Sequence, residues 1–579
     1  MHAQEITDRR YGLPRSATPE QLRPQAVRQS AAAGGGIPAA ESLSPAELLA
    51  LPRPGQGVRV MNHLTYGFTR ELQQFYHSLG SGPIQRWHNF VDYQLDWQAI
   101  DDSAMRNRLL AAGYTTLDKS LQQAWADHVV PNPEWTVRMR PAHEVGFAAL
   151  ARAVHSRRQL LEVLVMFWHD HFNVTIGDYD AGPVYMHYDR DVIRPHATGN
   201  FRTLLEAMTK STAMLHYLDN RSNRRDGPNE NFARELMELH TLGAAHYYGF
   251  MPQGEVPRSP LDPSYPDGYT DIDVYEVARA FTGWTVANGG WAFPDRKDGT
   301  FLYWSPWHDT GLKTILGVQL MPNQPHLKDG LDVLDRLASH PSTASTICEK
   351  LIRRFVGDRP PPALVASAAA VFRQNWQHPR QIELTLRHIL TSDAFYNSWG
   401  QKQRRPFETI AAALRAAGSD WTPVPDEKRS HDLRWLLSLA GHVPMDWQAP
   451  NGYPDVGTAW SGPNTYAMAW RNLHWLTEAK TDGAGVPLLP ILAASRSEVP
   501  SWTARALVEY WCRRLLGHLP AAERLQLLVA FLAQNGNPDS DVIADTDAWA
   551  GGDLKRHYNH QRLRATVALI LSSPEFASR

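Results

Sequence analysis

At 579 residues the chain exceeds the size at which a single hydrophobic core stops growing, so two or more packed subdomains are expected. Hydrophobic residues at 43% and charged residues at 20% are ordinary for a globular protein and exclude disorder over most of the length. A net charge of -2 provides no field for a general nucleic-acid or anionic-lipid binder, and two cysteines, Cys348 and Cys512, exclude a disulfide framework or a thiolate metal cluster.

The start, Met1 to Arg10, holds no apolar stretch of signal-peptide type and, taken literally, is cytoplasmic. His2-Ala-Gln also reads as what remains when a signal is cut after small residues. Residues 1–55, rich in Ala, Gly, Pro and Ser, are expected to form a flexible arm. From there helical periodicity dominates, as where Leu72, Phe75 and Tyr76 recur at i, i+3 and i+4. The expected fold is mainly α: a multi-helix, bundle-like core over 56–420 and a C-terminal helical subdomain over 421–579. The stretch from Met251 to Gly317, crowded with Pro, Gly, Asp and Trp, is expected to be an ordered, loop-rich insertion. No apolar run is long enough to span a bilayer.

Three segments carry polar groups that chemistry needs. In Gln159-Leu-Leu-Glu-Val-Leu-Val-Met-Phe-Trp-His-Asp-His-Phe172 nearly every face is apolar, which predicts a buried helix. Glu162 inside it must be neutralised, paired or bound to a cation, and His169 and His171 close it. Two positions apart on a helix, these histidines point about 200° away from each other, so one ion takes both only if the helix ends between them. The competing reading is helix-terminal histidines bonding carbonyls. In Pro228-Asn-Glu-Asn-Phe-Ala-Arg-Glu-Leu-Met-Glu-Leu-His-Thr-Leu-Gly243, Asn229 fits a helix start and Gly243 its stop. Phe232, Leu236 and Leu239 form the core stripe, and Asn231, Glu235 and Glu238 a polar one. The two carboxylates lie about 4.5 Å apart along the axis, a spacing suited to hard cations or to arginines such as Arg234, Arg202, Arg221 and Arg279. In the third segment Thr270 or Asp271 caps a helix carrying Val274, Val277, Ala278 and Phe281, and the following loop brings His308 and Asp309 as further donors.

A repeat appears late in the chain. Glu349-Lys-Leu-Ile-Arg-Arg-Phe-Val-Gly357 lies over Glu509-Tyr-Trp-Cys-Arg-Arg-Leu-Leu-Gly517, and Ile389-Leu-Thr-Ser-Asp-Ala-Phe395 over Ile570-Leu-Ser-Ser-Pro-Glu-Phe576, so 500–579 is expected to repeat 340–400.

Phe167-Trp-His-Asp-His-Phe, Asn200-Phe-Arg, Met214-Leu-His-Tyr-Leu-Asp-Asn220, the Asn229 to Gly243 segment, Ala280-Phe-Thr-Gly-Trp284, His308-Asp309 and Ser573-Pro-Glu-Phe576 together resemble the bacterial family called domain of unknown function 1800. The resemblance implies a helical fold, frequent export to the periplasm or outside the cell, and frequent genetic pairing with a sulfatase-like exported protein. It carries no established activity. The Pro-rich insertion from Met251 to Tyr265 and the missing signal depart from the usual pattern.

Two function classes follow. One is a metal-dependent enzyme, hydrolase or oxidoreductase, whose divalent ion is held by His169, His171, Glu235, Glu238, His308 and Asp309 between the two central helices. The other is a noncatalytic exported scaffold that holds a partner, its polar motifs serving the fold. A nucleophilic hydrolase is disfavoured because no Gly-x-Ser-x-Gly elbow occurs.

Overall fold

The computed structural model describes residues 51–543 and 554–579, with backbone alone over 554–561. Apart from 51–55, the expected N-terminal arm lies outside the described residues. Helix makes up 56% and strand 6%, a mainly α protein.

The first helices are α1 (Gln56–Leu64), α2 (Pro83–Leu95), α3 (Arg140–His155) and α4 (Gln159–His171). α4 is the buried helix expected: Leu160, Val163, Leu164 and Trp168 are fully shielded from solvent, with α1, α2 and α3 packed around them. Each such side chain contributes roughly 1.5–3 kcal/mol of transfer free energy as an upper estimate. Gln159 fixes the helix start. Its side-chain oxygen accepts from the Tyr66 N–H, and its amide donates to the Ala153 and Ser156 carbonyls.

α5 (Phe201–Thr209) begins at the Asn200 cap, α6 (Glu230–Glu238) at Asn229, and α7 (Asp271–Ala280) at a capping box of Thr270 and Asp273. α6 and α7 pack against each other. Three antiparallel strand pairs precede or follow α7 in the chain, Arg258–Ser259 with Asp262–Pro266, Trp284–Val286 with Phe301–Tyr303, and Lys313–Ile315 with Val318–Leu320, and Lys313–Ile315 packs on the helix.

Two later stretches run through the same order of elements. α8 (Pro341–Phe355), α9 (Pro362–Gln374) and α10 (Gln381–Leu390) lead into the short helix Asp393–Tyr396 capped by Ser392. After α11 (Pro406–Ala417) and α12 (Pro463–Glu478) come α13 (Ala504–Leu516), α14 (Ala522–Ala533) and α15 (Leu554–Leu571), then Pro574–Ala577 capped by Ser573. At corresponding positions Leu351 and Trp511, Ile352 and Cys512, and Phe355 and Leu515 are all buried.

A buried ionic network ties these parts together. Arg354 on α8 and Arg405 at the cap of α11 both hold the Glu408 carboxylate, at 2.5 and 2.9 Å, and Arg579 approaches its other oxygen at 3.7 Å. Arg405 also bonds Asp170 near the end of α4 at 2.7 Å. The Asp455 carboxylate accepts from Arg354 at 3.4 Å and forms an ion pair with Lys402 at 2.9 Å. Burial alone would raise the Glu408 carboxyl above its ordinary range, but Arg354, Arg579 and Arg405 outweigh it and hold the group well below. The loop carrying Asp455 reaches the network by passing close under the end of α4. Gly452 makes the passage, at a φ of +68°, where a Cβ would stand 1.9 Å from the Asp170 carbonyl oxygen.

Two predictions follow from this packing. Gly452→Ala is expected to lower unfolding free energy by more than about 3 kcal/mol in denaturant titrations. Gly441→Ala, equally left-handed at φ +77° but in open space, costs only about 1–2 kcal/mol; equal costs would contradict the close passage. Glu408→Gln is expected to cost about 3–5 kcal/mol at neutral pH by leaving buried guanidiniums unpaired. Because the folded-state pKa of Glu408 is depressed, its stabilisation is present above the unfolded carboxyl value and is lost as pH falls through the folded one. The gap between wild type and variant should therefore narrow steadily in acid, and a gap that is constant from neutral pH downward would contradict the network.

Candidate functional site

At the end of α4 three consecutive polar side chains leave in three directions, as successive helical positions about 100° apart require. His169 bonds Asp189 through Nε2 at 3.1 Å, with the Tyr185 hydroxyl 3.4 Å from Nδ1. Asp170 joins Arg405. His171 donates from Nε2 to the His240 carbonyl at 3.1 Å and accepts from Lys350 at 3.1 Å; Lys350 also donates to the Leu239 carbonyl at 3.0 Å. Burial, with Lys350 next, holds His171 well below its ordinary value, so it is neutral. Burial likewise lowers Lys350 to about 8. His171 and Lys350 thus satisfy the carbonyls released where α6 ends.

α6 stops at Glu238. The Leu239 and His240 N–H groups both reach the Glu235 carbonyl, and Gly243, at φ +99°, turns the chain away. This break swings His240 into the core against Phe172, with ring centroids 5.2 Å apart. The buried segments around α4 and α6 therefore meet end to end, through His171 and the residues after Glu238. The polar stripe of α6 does not take part in that contact. Asn231 donates to the Leu218 carbonyl at 3.1 Å, and the surroundings of His171 are set by burial, Lys350 and His240, not by carboxylates.

Glu235 and Glu238 are half-buried neighbours. Burial, and then the Glu238 charge, raises the Glu235 pKa. Among the described residues neither has an ion pair, and the arginines expected beside them are engaged elsewhere. Arg234 bonds Glu230 and Asp271, Arg202 bonds Glu206 and Asp335, Arg221 lies near Asp180 and Asp219, and Arg279 holds Glu276 and Asp309. The Tyr269 hydroxyl, buried close to these carboxylates, has no hydrogen-bond partner among the described residues.

His308 and Asp309 belong to another network. His308 Nε2 lies 3.3 Å from Asp329 Oδ2, and its Nδ1 lies 2.9 Å from the Thr282 carbonyl. Asp329 also holds Lys313 at 2.7 Å. Asp309 is bound by Arg279 through two bonds at 2.9 and 3.0 Å. Burial is outweighed by the Arg279 bond, the Gly311 N–H and Lys313, which bring Asp309 down to about 2. The six expected ligands are thus distributed over separate sets. The structure pairs Glu235 with Glu238 and keeps the adjacent His308 and Asp309 in one network, but it brings none of these sets to another, and among the described residues no group of three or more His, Cys, Asp or Glu side chains converges as a metal ion requires.

Sequence reasoning missed a cavity of about 640 Å³ beside α4. Its floor holds Glu162, whose partner is Arg194 at 2.8 Å, and Asp189, which is bonded by Arg152 at 3.3 Å and lies 3.6 Å from Arg194 Nε. Burial opposes ionisation of Asp189, but Arg194, His169 and Arg152 outweigh it and hold the carboxyl far below its ordinary range. Asp189 lies in a π-helical turn, Tyr188–Ile193, and Arg194 follows it, with the Arg194 N–H bonding the Asp189 carbonyl. In that i→i+5 register residues five apart lie on one face. Pro195, which has no N–H, is the sequence signal for this irregularity.

The family model described as "Protein of unknown function (DUF1800)" matches residues 59–578. No curated protein matches the chain, and no solved structure does. Among the described residues no helix is long and apolar enough to cross a membrane. With nearly its whole length matched, the chain belongs to the DUF1800 family.

Proposed function

We propose that the chain is a noncatalytic scaffold that holds a partner, with its His and carboxylate motifs serving the fold. The observation that carries this reading is the engagement of the motif residues by their own chain: His169 with Asp189, Asp170 with Arg405, His171 with Lys350 and the His240 carbonyl, His308 with Asp329, and Asp309 with Arg279. A metal-dependent enzyme would need these donors turned towards one point. The repeated order of elements from α8 to α10 and from α13 to α15 supports a scaffold built by duplication of one helical unit.

A face suited to a partner lies over α7. Phe250 is 90% exposed, and Tyr247 on the same loop and Ile272 and Tyr275 on α7 are exposed as well. The loop carrying Phe250 is tied to the start of α7 by the Asp271 N–H to the Gly249 carbonyl and by Tyr247 to Asp271. Exposed aromatics together with Glu235 and Glu238, which have no ion pair among the described residues, offer both apolar area and charge to a bound protein. The sulfatase-like exported protein implied by the resemblance is the first partner to co-express.

The test separates scaffold from metalloenzyme. Protein purified without a metal column should contain only substoichiometric divalent metal, and chelator should leave its melting temperature unchanged. His171→Asn is expected to destabilise by about 1–3 kcal/mol with or without chelator, through the lost carbonyl bond. Glu235→Gln should stabilise by about 0.3–0.5 kcal/mol by relieving like-charge repulsion. A full equivalent of bound metal that either substitution removes would overturn the scaffold reading.

A further inference from the structure

The cavity beside α4 carries hydrogen-bonding capacity that the fold does not use. Arg194 and Glu162 hold each other through Nη1 and Oε1, and the shielded Arg194 Nε faces Asp189 at 3.6 Å, which leaves Nη2 as the donor of that guanidinium that bonds no described residue. Glu162 Oε2 accepts no hydrogen bond among the described residues, and the Arg152 guanidinium donates there through Nη1 alone, to Asp189. The floor therefore presents several N–H donors next to an unengaged carboxylate oxygen. It does so rigidly: Asp189 is held from behind by His169, whose Nδ1 meets the Tyr185 hydroxyl, and that hydroxyl donates to the Val174 carbonyl at 2.8 Å.

The charges on this floor balance, with two guanidiniums against two carboxylates, and His169 lies behind them. The mouth balances as well, with Arg106, Arg158 and Arg190 against Asp101, Asp102 and Asp118. An anion drawn to the arginines would meet Glu162 and Asp189, and a cation drawn to the carboxylates would meet the arginines. A zwitterion would have to separate charges that already neutralise each other at 2.8 Å. A hydroxyl group, which donates and accepts at once and brings no charge, uses donors and acceptor together. The walls supply the complementary apolar surface: Leu109, Leu110, Leu117 and Leu161, with the rings of Trp97 and Tyr114. The volume of about 640 Å³ lies within the ~300–1,000 Å³ of small-molecule sites.

We propose that this cavity is a binding site for a neutral polyhydroxylated ligand, a carbohydrate of one or two rings, whose hydroxyls engage Arg152, Arg194 and Glu162 and whose C–H faces lie against the Trp97, Tyr114 and leucine walls. The site is separate from the α7 face and does not depend on the partner it holds.

The experiment is saturation-transfer NMR on the full chain with glucose, galactose, mannose, N-acetylglucosamine, maltose and cellobiose, and with inorganic phosphate, glucuronate and glycine as charged probes. At least one neutral sugar should give signal at concentrations up to about 10 mM, and the charged probes none. Glu162→Gln keeps an oxygen for Arg194 but turns the unengaged acceptor into a donor, and should weaken the sugar by about tenfold or more. Hydrogen exchange with the unaltered chain gives a readout that needs no variant: the sugar should protect 101–118 and 186–195. Binding of the charged probes alone, no signal from any neutral sugar, affinity undiminished in a folded Glu162→Gln, or protection confined to other segments would each overturn the proposal.

Discussion

Everything around the centre of this protein depends on one carboxylate. Glu408 is 2% exposed, and Arg354, Arg405 and Arg579 surround it. Charges taken so far from water are tolerated only when each finds partners, and the free energy lost on removing one exceeds what the assembled set adds over an apolar core. The partners come from distant parts of the chain. Asp170 brings the end of α4, Arg354 brings α8, Arg405 brings α11, and Asp455 brings the loop that Gly452 allows to pass beneath the helix. Arg404, next to Arg405, reaches the Phe576 and Ser578 carbonyls and Asn62 Oδ1, and so adds the last residues and α1 to the same assembly.

The end of α4 is where this constraint meets a pair of histidines. Phe167-Trp-His-Asp-His-Phe reads as a ligand set when its histidines are considered alone, yet the residue between them fixes its orientation. With Asp170 held by Arg405, His169 is turned to the π-helical turn and His171 to the carbonyls at the end of α6. Two faces of one helix end thus serve two neighbours. The same pinning leaves Glu162, two turns earlier, on the floor of the cavity with Arg194 as its partner.

Much of the local structure was legible in the sequence because it rests on near neighbours. The Asn229 and Thr270 caps and the burial of Leu160 to Trp168 follow from side chains within a few positions, whereas the helix expected to stop at Gly243 ends already at Glu238. Glu162 was legible as a buried charge that needs a partner, though not which one. The ionic network was not, because Asp170 and Arg405 are 235 residues apart and nothing local distinguishes Lys402-Gln-Arg-Arg405 from a solvated basic run. Asp189 and Arg194 were hidden for a different reason: five residues apart, they fall on different faces of an α-helix and share one only in the π register. The turn after Glu238 carries His240 into the core against Phe172.

The most direct test of the central claim is a double-mutant cycle between Asp170 and Arg405, with Asp170→Asn, Arg405→Met and the pair compared by equilibrium unfolding at neutral pH. A coupling free energy above about 1.5 kcal/mol is predicted, because the two groups meet inside the buried network. A coupling below about 0.5 kcal/mol, with the single losses simply adding, would contradict the account.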